Sequence, residues 1–269
     1  MMRWKRLRAS FVLATTALVG TAVLVTTGVT ASPAGATPRT RLARLRRTTT
    51  TLAPTTTTTI LPGTTPLFSD DFTGPTGMGW TDGSVHGNWV LTYGGYGANG
   101  VELDATKGSN VLSLSPKAST SAGETHASLA NSVASFGDLD LSTWLTTKQQ
   151  LRTPAPNPWE VGWVLWHYTD DTHFYYFLPK TNGWELGKED PAYPGAQRFL
   201  ATGSSPAFPV GVPYTVRVRQ VGSTMTVWVN GTQIVTFTDS QRPYPSGSLG
   251  MYTEDAHVHF DDVVVRAPQ

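Results

Sequence analysis

The 269-residue chain is predicted to fold as all-β, a two-sheet antiparallel β-sandwich. Three observations carry this expectation. From Pro66 onward no stretch sustains a 3.6-residue apolar period, whereas period-two alternation recurs in run after run. The segments between these runs are rich in turn formers, and the chain holds 26 Gly and 19 Pro. Charged residues make up only 14%, below the roughly 25% of an average soluble domain, which leaves little to solvate the outer faces of surface helices.

Taken in chain order, residues 1–36 read as a targeting segment. Arg3, Lys5, Arg6 and Arg8 precede an apolar run from Phe11 to Ala31, and Ala34-Gly35-Ala36 supplies the small residues of a signal-peptidase site. The run is about 21 residues, enough to cross a bilayer core, so a retained single-pass anchor competes with a cleaved signal peptide. Arg39, Arg41, Arg44, Arg46 and Arg47 would then lie at the second interface. Both readings export the rest of the chain, as a secreted or cell-surface protein or one tethered to a membrane through its N-terminus. Residues 37–65 are basic and then nearly pure Thr with Pro. Such a tract has too few large apolar side chains to offset ordering entropy, so it is expected to be a disordered linker or stalk.

Residues 66–269 carry the strands. Alternating runs fall at Trp89–Tyr93, Val111–Ser115, Asp138–Thr146, Val161–Tyr168, Phe174–Leu178, Tyr214–Gln220, Thr224–Val229, Val235–Thr238, Leu249–Thr253 and Val258–Val265. Asn230-Gly231 between two of them is the strongest hairpin signal, since a type I′ turn needs two positive φ angles. Asn230-Gly231-Thr232 also fits the N-glycosylation pattern, but the turn explains the same residues. Thr181-Asn182-Gly183 closes a second hairpin, onto Trp184-Glu185-Leu186.

Composition excludes several functions. The absence of Cys removes disulfide scaffolds, thiol catalysis and Cys-ligated metals. The net charge of +1 conceals a segregation. Nine Lys/Arg and no acids lie in residues 1–47, which leaves 11 bases against 19 acids beyond them, a balance of −8. An acidic domain repels phosphate backbones, so nucleic acid is not expected as a partner. No Gly-x-Ser-x-Gly elbow is present. His257 and His259 alternate and share a strand face, a two-ligand geometry for which spacing implies no third ligand. The excess of Arg over Lys, 14 to 6, with abundant Ala, Thr and Gly, points to a GC-rich bacterial genome.

The richest segment runs from Trp159 to Phe199. Its rings are interleaved with charged groups, a combination that suits sugars. A pyranose stacks its C–H face on Trp or Tyr while its hydroxyls bond Glu, Lys, His or Arg. Folding the hairpin about Lys180–Gly183 sets His173 near Lys188, Tyr175 near Leu186 and Phe177 near Trp184 on one face, with Phe174, Tyr176 and Glu185 on the other. The first face is the more polar and is assigned to the ligand side. The carbohydrate-binding candidates are Trp163, His167, His173, Tyr175, Trp184, Glu185, Lys188 and Arg198. The competing reading makes these rings core or cross-strand pairs.

The two ends of the domain carry a family resemblance. The opening Phe68-Ser69-Asp70-Asp71-Phe72-Thr73-Gly74 and the closing Phe260-Asp261-Asp262-Val263-Val264-Val265 resemble the concanavalin A-like lectin/glucanase superfamily. The likeness is to the branch around glycoside hydrolase family 16, with laminin-G-like and 3-keto-disaccharide hydrolase-like domains. It implies a jelly roll with adjacent terminal strands and a ligand, an oligo- or polysaccharide, across the concave sheet. It also implies a structural calcium, with Asp261 as first ligand and Asp71 as neighbour. Alternatively these carboxylates are solvated strand ends. Family 16 enzymes place their carboxylates on a Glu-x-Asp-x-Glu strand. The matching stretch here is Glu185-Leu186-Gly187-Lys188-Glu189-Asp190. Gly187 stands where Asp is needed, and Glu185 and Glu189 lie roughly 13 Å apart along a strand, too far for a retaining pair. The expected function is therefore a non-catalytic, lectin-like module. A glycoside or disaccharide hydrolase using Glu185, Glu189 and Asp190, or an adhesive surface protein, is the alternative.

Overall fold

The computed structural model describes residues 65–269. The expected signal peptide or anchor and all but the last residue of the linker lie outside the described residues.

Seventeen strands and no helix form the described part. In chain order they are β1 (Phe68–Asp70), β2 (Gly77–Met78), β3 (Val85–His86), β4 (Trp89–Tyr93), β5 (Ala98–Asp104) and β6 (Ser109–Ser115). The long central strands follow: β7 (Ala127–Phe136), β8 (Leu139–Gln150), β9 (Gly162–Asp170), β10 (His173–Lys180) and β11 (Gly183–Glu189). The last are β12 (Gln197–Gly203), β13 (Pro213–Val221), β14 (Thr224–Val229), β15 (Thr232–Thr238), β16 (Gly247–Glu254) and β17 (Ala256–Arg266). The first sheet has the order β15-β14-β13-β8-β17-β6-β5-β2, with β1 also paired to β17. The second has the order β12-β11-β10-β9-β16-β7-β4-β3. Every pairing is antiparallel, so the two-sheet sandwich is as expected.

Local chemistry explains the closures. β1 lies on β17, Phe68 opposite Val265 and Asp70 opposite Val263. This joins the two motifs that the sequence likeness rested on. Asn230 and Gly231 both adopt positive φ, 50° and 79°, between Val229 and its partner Thr232, the I′ geometry that Asn-Gly favours. In β10–β11, Lys180 pairs with Gly183 and Tyr175 with Lys188. The register is thus two residues from the expected one. A two-residue shift leaves every side chain on its own face, so the partition of residues between the faces stands.

Which face looks inward is the correction. The main core contains Leu112, Leu141, Val216 and Phe260 of the first sheet with Val164, Trp166, Tyr175, Phe177, Trp184 and Leu186 of the second. The face carrying Tyr175 and Lys188 therefore points between the sheets. A second apolar cluster, Leu129, Val161, Trp163, Leu165, Tyr176 and Leu178, draws on the second sheet's neighbourhood alone. It occupies the outer face of that sheet.

Candidate functional site

The outer face of the second sheet is built by alternation on β9, β10, β11 and β16. Trp163 is opposite Tyr252, and Tyr176 is opposite both Leu165 and Gly187. The Trp163 ring lies 5.0 Å from the Tyr176 ring and 5.2 Å from that of Tyr252. Tyr93 adds an edge contact to Tyr252 at 6.5 Å. Toward the other end, Phe174 stacks on Tyr168 at 5.6 Å. Trp163 and Tyr176 are buried, whereas Tyr93, Tyr252 and Phe174 keep part of their surface.

A polar border runs beside these rings. Tyr176 Oη donates to Glu185 Oε1 at 2.9 Å, and Lys180 Nζ donates to Glu185 Oε2 at 3.0 Å. Gln197 Nε2 donates to Tyr176 Oη at 3.0 Å. Tyr252 Oη donates to Glu254 Oε1 at 2.7 Å. Burial pushes the Glu189 carboxyl up to about 8, with the charge of Glu254 adding to the shift. Burial likewise raises Glu254 to about 7. An open groove of about 530 Å3 continues along the face, lined by Val90, Val133, Ser135, Tyr168, Thr169 and Ser248 among others. Of the groups gathered on this sheet surface, the partly exposed Tyr93, Phe174 and Tyr252 rings and the Lys180 and Gln197 side chains keep surface that can stack against and hydrogen-bond a polyhydroxylated ligand.

The structure sorts the candidates from the sequence. Trp163 and Glu185 belong to this outer face. Tyr175, Trp184 and Lys188 do not, because they lie on the core side. Lys188, expected on the ligand side, is fully buried and neutralised. Its Nζ donates to Asp239 Oδ2 at 2.8 Å and to the carbonyls of Gln241 and Arg242 at 2.8 and 2.9 Å. It also sits 4.7 Å from the Tyr244 ring. Arg198 joins the same ion cluster, 3.4 Å from Asp239 Oδ1. His167 is fully buried at a positive-φ position, its ring nitrogens 2.7 and 2.9 Å from the carbonyls of Tyr244 and Gly137. His173 is half-buried beside the β9–β10 turn, paired with Asp170 at 3.0 Å. Four residues of this face, Tyr176, Lys180, Gln197 and Tyr252, were not among the candidates. Tyr176 alternates with Tyr175 as expected, but its face is the outer one rather than the core.

The possible catalytic trio does not assemble. Glu185 and Glu189 share the outer face, while Asp190 turns to Arg242, 2.6 Å away, and accepts the Ala192 amide. Gly187 between the two glutamates is required by its neighbour, since a Cβ there would lie 2.2 Å from Tyr176 Oη. An Asp at that position is incompatible with the observed place of Tyr176.

The expected calcium position already has a cation. Lys107 Nζ bonds Asp261 and lies 3.0 Å from Asp262 Oδ2. Asp261 also accepts from Ser109 Oγ at 2.9 Å. Asp71 is exposed and bonds the hydroxyl of Thr73.

Known proteins share this architecture. A carbohydrate-binding module, CBM66, of Bacillus subtilis superposes with a TM-score of 0.50 at 15% identity, covering 66% of this chain and 95% of that one. A family 16 glycoside hydrolase (GH16) from a mixed-linkage glucan locus of Bacteroides ovatus, solved with a G4G4G3G product, gives 0.50 at 12% identity, covering 74% and 100%. At these identities the likeness is one of fold. No curated protein matches the chain. The family model described as the 3-keto-alpha-glucoside-1,2-lyase-like domain matches residues 72–266, most of the β-sandwich. The chain is thus a concanavalin A-like jelly roll and belongs to the 3-keto-alpha-glucoside-1,2-lyase-like domain family.

Proposed function

We propose that this protein is an exported, non-catalytic glycan-binding module that holds an oligo- or polysaccharide against the outer face of its second sheet. The observation that carries the reading is the partly exposed Tyr252–Tyr93 pair, 6.5 Å apart, packed beside the buried Trp163 and Tyr176 rings and bordered by Glu185 and Lys180. Sugar rings would stack on the partly exposed Tyr252 and Tyr93 while Glu185, Lys180 and Gln197 take the hydroxyls. The mixed-linkage product carried by the Bacteroides ovatus relative makes a β-glucan tetrasaccharide a rational first probe. Calcium has no part in this reading, because Lys107 serves Asp261. The test is a glycan array followed by calorimetry on the full chain. Binding that is weakened in Tyr252→Ala and Glu185→Gln but kept in His173→Ala supports the reading.

A second reading follows from the family match and from Glu189. A 3-keto-α-glucoside has an acidified proton at C2. Its removal by a base, with cleavage of the C1–O bond and protonation of the leaving alcohol, is an overall elimination. Glu189, with its carboxyl raised to about 8, would be protonated at neutral pH and able to give the leaving oxygen its proton. Incubation with a 3-keto-α-glucoside separates the two readings. Release of the alcohol that is lost in Glu189→Gln favours the lyase, and no turnover favours the module.

A further inference from the structure

On the opposite side of the molecule, the outer face of the first sheet gathers Glu102 of β5 with His257 and His259 of β17. Glu102 Oε1 lies 2.8 Å from His259 Nε2 and 3.4 Å from His257 Nε2. The two Nε2 atoms are 3.1 Å apart. These three edges bracket the roughly 3.3 Å between neighbouring donors of a tetrahedral zinc with Zn–N bonds of about 2.0–2.1 Å. The intervening strand β6 contributes Ser113, opposite His259, whose small side chain lets donors from strands two apart meet. Ser113 Oγ lies 3.1 Å from His257 Nε2.

The surrounding groups are arranged as a metal site requires. His259 is buried and presents Nδ1 to Asp104 Oδ2 at 2.8 Å. A carboxylate on Nδ1 holds that nitrogen protonated and turns the Nε2 lone pair outward, the pairing common behind zinc-bound histidines. Nε2 then faces Glu102 Oε1, another acceptor, so either a second ring proton or a metal ion must lie between them, and a metal ion also serves the His257 nitrogen alongside. Lys148 Nζ, 3.1 Å from Asp104 Oδ2, balances the charge of Asp104 and leaves that of Glu102 for the ion. Glu102 and His257 are about one-third exposed, 34% and 28%, so an incoming ion can reach the donors and a fourth position stays open. Two imidazoles and one carboxylate favour zinc over calcium or magnesium.

We propose that Glu102, His257 and His259 form a zinc site, clipping β5 to β17 across β6 and leaving one coordination position open to solvent. It is independent of the glycan face. The experiment is titration of the full chain, purified without a histidine tag, with zinc chloride by calorimetry. Cobalt(II) serves as spectroscopic reporter. The expected result is one zinc per chain, weakened at least tenfold in both Glu102→Gln and His257→Gln, two partly exposed positions whose replacement spares the core. Asp104→Asn should weaken binding by about 10–100-fold. Cobalt should give the intense visible bands of a four-coordinate site, fading as the pH falls below the histidine range. Tyr252→Ala should bind zinc as the parent does. No stoichiometric binding, equal affinity in Glu102→Gln and His257→Gln, or a weak octahedral cobalt spectrum would overturn the proposal.

Discussion

Replacing Asp239 by Ala tests which face of the second sheet is core. Lys188 is fully buried, and Asp239 beside it is equally inaccessible. The Asp239 carboxylate accepts from Lys188 Nζ, Tyr175 Oη and the Gln241 amide at 2.8–2.9 Å. Truncation leaves an ammonium in the core with two carbonyls and Asp190 Oδ2, 3.5 Å away. Breaking a buried pair in this way costs about 3–5 kcal/mol. For a domain of this size each kcal/mol shifts the melting temperature by about 2–4 °C, so the loss should be about 6–20 °C by differential scanning calorimetry. Lys188→Met should cost less, since Asp239 keeps Tyr175, the Gln241 amide and Arg198. An Asp239→Ala protein within 1 °C of the parent would mean that Lys188 is solvated. The outward-facing assignment of Tyr175 and Lys188 would then be correct, and the inward one wrong.

The remaining expectations concern pH and the glycan strip. Burial opposes ionisation of Asp239 and Asp190, but their hydrogen bonds to Lys188 and Arg242 win and hold both carboxyls below the usual range. Groups with a depressed folded pKa stabilise above their unfolded value, so thermal stability should fall as the pH drops below about 4. Glu189 has the opposite sign. Its folded value of about 8 means that the native state holds a proton the unfolded chain has released, so stability falls as pH rises from the unfolded carboxylate value toward 8. The slope is at most about 1.4 kcal/mol per pH unit. Glu189→Gln should flatten that slope in melting curves taken from pH 5 to 8, and an unchanged slope would show the carboxyl to be solvated. Gly187→Ala places a methyl 2.2 Å from Tyr176 Oη. It should displace the Tyr176 hydroxyl from Glu185 and weaken glycan binding, read by calorimetry, with a melting loss of a few degrees. Unaltered binding would remove Tyr176 from the site.

Much of the fold could be read from the chain because alternation and turn chemistry agree. Trp89–Tyr93 and Thr224–Val229 were expected with the bounds observed, each having one clean apolar face. β5 and β7 were not expected. In β7, Ser128, Leu129, Ala130, Asn131 and Ser132 are all buried, so a strand covered on both faces by small and polar residues shows no period. In β5, Leu103 is exposed and Asn99 buried, the reverse of an apolar-in pattern. The outer face differs from the expected one for a related reason. A polar side chain does not by itself mark an exposed face, and Lys188 is buried because Asp239, 51 positions later, neutralises it. No local spacing reveals such a partner. The same distance in sequence hid Glu102 from His257 and His259, 155 and 157 positions apart.

The most direct test of the glycan reading is to locate the contact surface. Amide chemical shifts of the full chain would be followed while a mixed-linkage β-glucan tetrasaccharide, or the strongest array ligand, is added. Shifts are expected at Trp163, Lys180, Glu185 and Tyr252, with Glu102, His257 and His259 silent. Shifts confined to the first sheet, or none with any glycan on the array, would contradict it.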